Sequence, residues 1–354
     1  MTSINLTLPT GVSIADHAPL KVEPSWWNPA KAYLDYRPDI NGAFIEGVQQ
    51  RHRLGLRTAA EIKTSGVSNM AMLVDLQHDF RDGGRLPVKG TDNVVLRTCA
   101  RLLNGTAGTE YYTDIVHSQD GHTPWHISFA PRWQNPHGEP LDLSVSKAAV
   151  LDLVEEKKGI FKASLPGPGG DKLGYYQSEV DALATVKYWH HLQDTKQGQI
   201  WVFDMHCLLG SDGHPLHPLL LETLAYIQGL RCISPTPLAK GHIMNTDWFG
   251  PFEPCMPDDD HAQGKFQKTI VDQFAKVTGR VEFMGVAEDF CNYYAEKQVL
   301  QYFQGTPYFS KIAFVTDGTA AIIENQQHVL DLYKEAASLG VHFLTHDEPF
   351  RLAA

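Results

Sequence analysis

Three side chains suited to covalent chemistry follow apolar, strand-like runs in the sequence. Asp75 comes after NMAMLV, Lys240 follows GLRCISPTPL, and Cys291 lies shortly after RVEFMGVA, at the start of a predicted amphipathic helix. Unpaired backbone N–H groups and the helix dipole lower the pKa of a thiol in the first turn of a helix. A thiol, a carboxylate and an amine brought together would suit nucleophilic attack coupled to proton transfer.

Each of these residues also has an ordinary structural explanation. A buried free cysteine usually behaves as a small hydrophobic residue, which is the simplest role for Cys291 taken alone. A lysine at a strand end, such as Lys240, is usually solvated, and a carboxylate such as Asp75 often caps a loop. The rest of the chain must therefore distinguish the two roles.

A second group of residues has the types and spacing of metal ligands. HSQDGHTPWHISF contains Asp120 and His122 in a D-x-H pattern, with His126 four residues later, and WVFDMHC adds His206. Carboxylate and imidazole ligands suit zinc, and also iron or manganese. Because the chain has 17 histidines, no single histidine is indicated as a ligand, and the spacing favours the set.

Taken in order, these segments resemble the nicotinamidase branch of the isochorismatase-like cysteine hydrolases. The resemblance rests on five separated motifs: VDLQHDF with LPVKG, QDGHTPWHISF, MHC, KGH and GVAEDFCNYY. It covers roughly residues 69–130 and 200–350. No single motif is decisive, but their joint order is specific.

The resemblance implies a role for each candidate residue. The implied catalytic triad is Asp75, Lys240 and Cys291. The implied ligands of a divalent metal ion are Asp120, His122 and His206, with His126 at or near the same site. The implied oxyanion-hole donors are the backbone amides of Ala287 and Cys291, with a cis peptide between Val286 and Ala287. The implied substrate-binding side chains are Phe80, Phe203 and Trp248.

The sequence departs from the family's pattern around the expected site. It has Glu288 and Asp289 where the family commonly has Thr-Asp, and Gly121 where an aromatic residue is common. WVFDMHC replaces the usual Trp-Pro run, so either Trp201 or Phe203 could face the substrate. An insertion also follows KGH. We expect these changes to affect substrate preference more than reaction type.

The elements that would position these residues alternate along the chain. Apolar runs such as NMAMLVDLQ, EYYTDIVHS, RVEFMGVA, KIAFVTDG and GVHFLTHD are separated by stretches with helical spacing of apolar residues. The helices are predicted within 93–104, 217–229, 264–278, 289–304 and 319–338. This alternation predicts an α/β fold with a doubly wound, mostly parallel sheet flanked by helices, the isochorismatase-like arrangement. Sites in such sheets lie beyond the carboxyl ends of the strands.

Two segments fall outside this alternation. Residues 1–68, with the run PSWWNPAKAYLDYRPD, are predicted to be an N-terminal extension that wraps the core or forms an oligomer interface. Residues 131–199, with a Gly/Pro-rich loop in SLPGPGGDKLGYYQSE flanked by a charged helical stretch in VLDLVEEKKGIFKA, are predicted to be an insertion after the second strand. The hydrolase domain would then span residues 69–354, and neither segment is expected to be an independent domain.

Composition limits the possible partners and compartments. The 354 residues carry a net charge of −11 without a long run of Lys or Arg, which argues against binding to nucleic acid or anionic membranes. No apolar run approaches the ~20 residues that span a bilayer, and the start lacks the pattern of a signal peptide. Five cysteines without a C-x-x-C pair predict reduced thiols. We expect a cytoplasmic homo-oligomer acting on a small molecule.

These observations predict a metal-assisted cysteine amidohydrolase that cleaves a small primary carboxamide. By resemblance, nicotinamide is the first candidate substrate, with a place in NAD salvage, and the cofactor is one divalent metal ion, zinc before iron or manganese. Two alternatives stay open. One is a related amidohydrolase acting on another heteroaryl amide or on an N-carbamoyl or ureido compound, and the other is a non-catalytic metal-binding or assembly protein.

Overall fold

A computed structural model describes residue 8 and residues 11–144, 146–165, 174–178, 182–258 and 264–350. Its strands are β1 (Met70–Val74), β2 (Asp114–Asp120), β3 (Trp133–Gln134), β4 (Ala148–Glu155), β5 (Ile160–Ser164), β6 (Gly174–Ser178), β7 (Ile200–Phe203), β8 (Thr236–Lys240), β9 (Val281–Val286), β10 (Ile312–Ala320) and β11 (His342–Leu344). Its α-helices are α1 (Ile40–Leu54), α2 (Ala59–Lys63), α3 (Thr91–Thr106), α4 (Ala182–Asp194), α5 (Pro218–Arg231), α6 (Lys268–Ala275), α7 (Cys291–Tyr302) and α8 (Gln327–Leu339).

Six strands form a parallel sheet in the order β11-β10-β9-β1-β2-β8. The chain starts this sheet near its centre and adds strands on both sides, so the predicted doubly wound, mostly parallel arrangement is confirmed. Every residue of β1 and β9 is buried, because helices cover both faces of a parallel sheet. Among those helices, α3 packs against β9 and β10, and α7 against β1 and β9.

Some strand and helix boundaries differ from those predicted from the sequence. The run GLRCISPTPL was predicted to be one strand, but α5 continues to Arg231 and β8 begins at Thr236. The residues before Arg231 continue the buried apolar face of α5, and Cys232 ends the helix in a left-handed conformation. The prediction of a helix from residue 319 was also wrong at its start, because β10 extends to Ala320.

The segment between β2 and β8 builds a second sheet that was not predicted from the sequence. The prediction of a helical stretch in VLDLVEEKKGIFKA was wrong, because this stretch forms the antiparallel strands β4 and β5. The strands of the second sheet are antiparallel neighbours in the order β3-β6-β5-β4-β7. This sheet and α4 enclose a separate hydrophobic cluster that includes Trp133, Phe161, Tyr188 and Val202. Most of the predicted Gly/Pro-rich loop in SLPGPGGDKLGYYQSE lies outside the described residues.

Part of the N-terminal segment packs on helix α5, which precedes β8 of the parallel sheet. The buried carboxylate of Glu222 in α5 accepts hydrogen bonds from Lys31 Nζ (2.9 Å), the Tyr36 hydroxyl (2.7 Å) and the Asp39 amide (2.9 Å). Where α1 crosses α5, a Cβ at Gly229 would lie 2.2 Å from the carbonyl oxygen of Phe44, so the two backbones touch. The extension is thereby joined to the core by both polar and close backbone contacts.

All five cysteines are free, as the sequence predicted. Among the described residues, no helix combines the length and the apolar composition needed to cross a bilayer.

We expect Gly229→Ala to lower the free energy of unfolding by about 1–3 kcal/mol, because the new methyl group would force α1 away from α5. Chemical denaturation would measure the change. Gln228→Ala, on the exposed side of the same helix, is the matched control and should change stability by less than about 0.5 kcal/mol. Equal effects of both substitutions would contradict a tight helix crossing.

Candidate active site

The carboxyl ends of adjacent strands bring the candidate triad to one edge of the parallel sheet. Asp75 directly follows β1, and Lys240 is the last residue of β8. Between these strands lies β2, whose last residue is Asp120. Cys291 is the first residue of α7, which follows β9 after a short turn. Strand order therefore explains how residues far apart in sequence meet.

The Lys240 ammonium lies at the centre of this group. Its Nζ is 2.8 Å from Asp75 Oδ2, 2.9 Å from Asp120 Oδ1 and 3.5 Å from Cys291 Sγ. Burial alone would lower the pKa of Lys240, but the two carboxylates outweigh it and hold that pKa well above its usual value. The side chain is therefore a fixed positive charge between two acids and a thiol.

Asp75 is held in place by its own backbone and by Ser118. The residue adopts a left-handed conformation with φ of 47°, which turns the chain sharply after β1. The Ser118 hydroxyl donates to Asp75 Oδ1 at 2.6 Å and accepts from the Asp75 amide at 3.2 Å. Burial raises the pKa of the Asp75 carboxyl, and the opposing charge of Lys240 only partly offsets this. Asp75 is consequently a stronger base than a solvated carboxylate.

The environment of Cys291 differs from the one expected for a helix N-terminus. Burial raises the pKa of the thiol well above its usual value, and the lowering effect of Lys240 is smaller. Asp75 and Asp120 raise that pKa further. In the structure as it stands, the sulfur therefore keeps its proton, and a neighbouring base is needed to make it a nucleophile.

The turn between β9 and α7 has the backbone features implied by the resemblance. The Val286–Ala287 peptide is cis. As the first residue of α7, Cys291 has a backbone N–H without an intrahelical acceptor. The two adjacent carboxylates of Glu288 and Asp289 each accept hydrogen bonds from nearby residues. Asp289 accepts from the amides of Ile322 and Ile323, at 2.9 and 2.8 Å. Its neighbour Glu288 accepts one from the Tyr333 hydroxyl at 2.9 Å.

Asp120, His122 and His206 form a buried group with the spacing of a metal site. One ligand atom from each residue lies within 4.8 Å of the others. Asp120 Oδ2 is 2.7 Å from His122 Nε2 and 3.5 Å from His206 Nε2. Asp120 is itself positioned by Gln77, whose side-chain oxygen accepts its amide proton at 2.6 Å.

The orientation of both imidazoles fits metal binding. His122 Nδ1 donates to the Gly241 carbonyl and His206 Nδ1 donates to the Asp204 carbonyl, each at 2.8 Å. Since a carbonyl oxygen only accepts, the proton of each neutral ring lies on Nδ1. Both Nε2 atoms then face Asp120 Oδ2, and this contact is favourable when a metal ion or a proton lies between nitrogen and oxygen. This backbone support of the outer nitrogen is typical of metal-binding histidines.

His126 is adjacent to these residues but lies outside the group of three. Its ring centroid is 4.3 Å from that of His122. Its Nε2 donates to the Thr246 carbonyl at 3.1 Å, and its Nδ1 accepts from the Ser128 amide at 3.2 Å. Both ring nitrogens are thus occupied by backbone groups that tie two loops together.

Lys240 and Cys291 of the candidate triad, together with the metal group, border one cavity whose empty space, including its opening to solvent, is about 440 Å³. Its walls include all three aromatic residues predicted to contact substrate, Phe80, Phe203 and Trp248. Phe203 rather than Trp201 lines this cavity, while Trp201 stacks behind it at 6.2 Å and borders a neighbouring one. A planar ring in this cavity would be surrounded mainly by aromatic surface.

Three residues of the site were not singled out from the sequence. Gln77 and Ser118 lie within quoted motifs, so their positions next to Asp120 and Asp75 could have drawn attention. Asp247 lines the cavity from the loop after β8, and the Tyr188 hydroxyl donates to its Oδ2 at 2.9 Å. Burial raises the pKa of Asp247 to about 7. Nothing in its local sequence distinguishes it from a solvated loop residue.

Solved structures similar to this chain are nicotinamidases and other isochorismatase-like hydrolases. The yeast nicotinamidase bound to the inhibitor nicotinaldehyde is 15% identical, with a TM-score of 0.47, 78% of this chain and 99% of that chain covered. An Acinetobacter nicotinamidase and pyrazinamidase is 17% identical, with a TM-score of 0.47 and coverages of 79% and 96%. The N-carbamoylsarcosine amidase of Thermoplasma acidophilum is 12% identical, with a TM-score of 0.38 and coverages of 80% and 99%. No protein-family model matches the chain, and neither does any curated protein sequence.

Replacement of His206 by Ala should weaken zinc binding by on the order of 100-fold or more, because it removes one of three ligands. Metal content after dialysis against a competing chelator would measure the loss. His137→Ala removes an exposed histidine and should leave the metal content unchanged. Undiminished zinc binding by His206→Ala would show that these residues do not form the metal site.

Proposed function

We propose that this protein is a metal-assisted cysteine amidohydrolase that cleaves a small primary carboxamide, with nicotinamide as the leading substrate and nicotinic acid and ammonia as products. The observation that supports it best is the contact of a buried ammonium with a carboxylate and a thiol beside one aromatic-walled cavity. A purely structural lysine would not need a thiol partner. Homo-oligomeric assembly and a cytoplasmic location stay predictions from the sequence.

The proposed reaction uses the raised basicity of Asp75. Asp75 takes the thiol proton of Cys291, and the sulfur attacks the amide carbon while the backbone amides of Ala287 and Cys291 donate to the developing oxyanion. Asp75 then gives its proton to the departing nitrogen, which leaves as ammonia. Asp75 next removes a proton from water, which attacks the thioester and releases the carboxylic acid and the thiol. Lys240 stabilises the negative charge that moves between sulfur and carboxylate.

The metal group and the aromatic walls would orient the substrate. A divalent ion held by Asp120, His122 and His206, zinc before iron or manganese, would supply a Lewis acid for a ring nitrogen. Phe80, Phe203 and Trp248 would pack against the ring itself. Together they would place the amide carbon near Cys291.

Cys291→Ala should lower kcat/KM for nicotinamide by at least about 10³-fold, because the attacking atom is lost and the remaining residues act as a unit with it. Asp75→Asn should have an effect of similar size, since it removes the base. Ammonia release would measure the activity, with thermal melting as a check on folding. Cys232→Ser, at the exposed cysteine, should keep full activity. An active Cys291→Ala protein would refute the thioester mechanism.

Substrates that differ only at the ring nitrogen test the proposed role of the metal group. Benzamide has the shape and amide of nicotinamide without that nitrogen, so its kcat/KM should be lower, by on the order of 10⁴-fold at the strong end. Pyrazinamide keeps a nitrogen at the corresponding position and should be accepted. Similar kcat/KM values for benzamide and nicotinamide would contradict recognition through the ring nitrogen. Hydrolysis of a carbamoyl compound alone would support the related amidohydrolase instead.

A further inference from the structure

Asp247 is a buried carboxylate that the proposed reaction does not use, although it lines the same cavity as Cys291 and Lys240. Its exposed fraction is 1%. It lies in the loop that follows β8, and this loop is fastened to the loop after β2 by the Ile127 amide, which donates to the Met244 carbonyl at 2.9 Å. The position of Asp247 beside the triad is therefore fixed by backbone contacts.

Helix α4, which packs beside the second sheet, supplies a hydrogen bond to one oxygen of this carboxylate. The Tyr188 hydroxyl in α4 donates to Asp247 Oδ2 at 2.9 Å, and Tyr188 is completely buried. Among the described residues, the Tyr188 hydroxyl is the hydrogen-bond donor found for this carboxylate, and it occupies one of the two oxygens. The cations that favour its charged form are Lys240 and Arg132, and the ammonium of Lys240 already contacts Asp75 and Asp120. One acceptor oxygen is thus left for a group in the cavity.

Two further polar atoms in the cavity wall lack partners among the described residues. They are the indole Nε1 of Trp248, which can only donate, and the hydroxyl of Ser128, which can donate or accept. Both side chains are buried, at 2% and 3% exposure. Buried polar groups are normally paired, so these two atoms are available to water or to a ligand that enters the cavity.

These atoms define the chemistry that the cavity wall would accept. In the proposed reaction the substrate's carboxamide is engaged by Cys291, Asp75 and the oxyanion-hole amides, and the rest of an unsubstituted pyridine ring presents only C–H groups apart from its nitrogen. Such a ring would leave the Asp247 oxygen and the Trp248 N–H unpaired. An amino substituent or a ring N–H would donate to Asp247, and an acceptor beside it would receive the indole N–H.

We propose that Asp247 is a specificity-determining residue that accepts a hydrogen bond from an amino group or N–H on the substrate, so that the preferred substrates are amino-substituted heteroaromatic carboxamides. This inference rests on the proposed amidohydrolase function. Tyr188 is a positioning residue, because it orients the Asp247 carboxylate without lining the cavity. The inference also gives the second sheet a role, since its helix α4 supplies that tyrosine.

The test compares aminonicotinamides with methylnicotinamides that carry the substituent at the same ring position. Each of the four free ring carbons of nicotinamide is tested in turn. The two substituents have similar size and differ in hydrogen bonding. At one position or more, the amino compound should have at least a tenfold higher kcat/KM than its methyl partner. Ammonia release would be measured for the metal-loaded, full-length protein.

Asp247→Asn should lower this amino-to-methyl ratio at least tenfold. The asparagine oxygen would accept the Tyr188 proton, and its NH₂ group would then face the substrate's amino group as a second donor. Tyr188→Phe, which leaves the carboxylate in place but less well oriented, should lower the ratio by a smaller factor. Glu296→Gln is the matched control, because it converts another buried carboxylate outside the cavity to an amide and should leave the ratio unchanged.

The outcomes separate this inference from the function on which it rests. Hydrolysis of nicotinamide without an amino preference at any ring position would overturn the role of Asp247 while leaving the amidohydrolase proposal intact. An amino preference that persists in Asp247→Asn and in Tyr188→Phe would also overturn it. If only one of these variants folds, persistence of the preference in that variant is sufficient. Failure of every amide in the panel to release ammonia would overturn the proposed function and the inference together.

Discussion

The site depends on one buried ammonium that is shared by three acidic groups. Lys240 contacts Asp75, Asp120 and the sulfur of Cys291, and without it two carboxylates would lie close together with little compensation for the loss of water. The sheet order makes this sharing possible, because β8, β2, β1 and β9 are consecutive neighbours. Their carboxyl ends deliver the lysine, the two aspartates and the turn before the cysteine to one place.

Asp120 couples the two halves of the site. One of its oxygens contacts Lys240 and the other faces the histidines of the metal group. A divalent ion held by Asp120, His122 and His206 would therefore share a carboxylate with the ammonium of Lys240.

The parallel sheet and the edge at which the candidate residues meet could be predicted from sequence, because apolar runs alternate with helical stretches and Asp75 and Lys240 follow two of those runs. Other features could not. The basicity of the thiol depends on burial, which the helix position of Cys291 does not reveal, and burial has the opposite effect on its pKa. The strands of the second sheet lack long apolar runs, and two of them come from a charged stretch that looks helical. Asp247 has its partner Tyr188 59 residues upstream, in helix α4 beside that sheet, so no local pattern marks it.

The side chains of the cavity are held in position by two separately packed cores. The acid, the lysine and the cysteine are anchored on the parallel sheet, whereas the carboxylate of Asp247 is oriented by a tyrosine from the smaller cluster. Mutations that accumulate in the smaller cluster therefore reshape one wall of the cavity without moving the residues that transfer protons. This division of labour would allow the range of accepted molecules to drift during evolution while the chemical step is conserved.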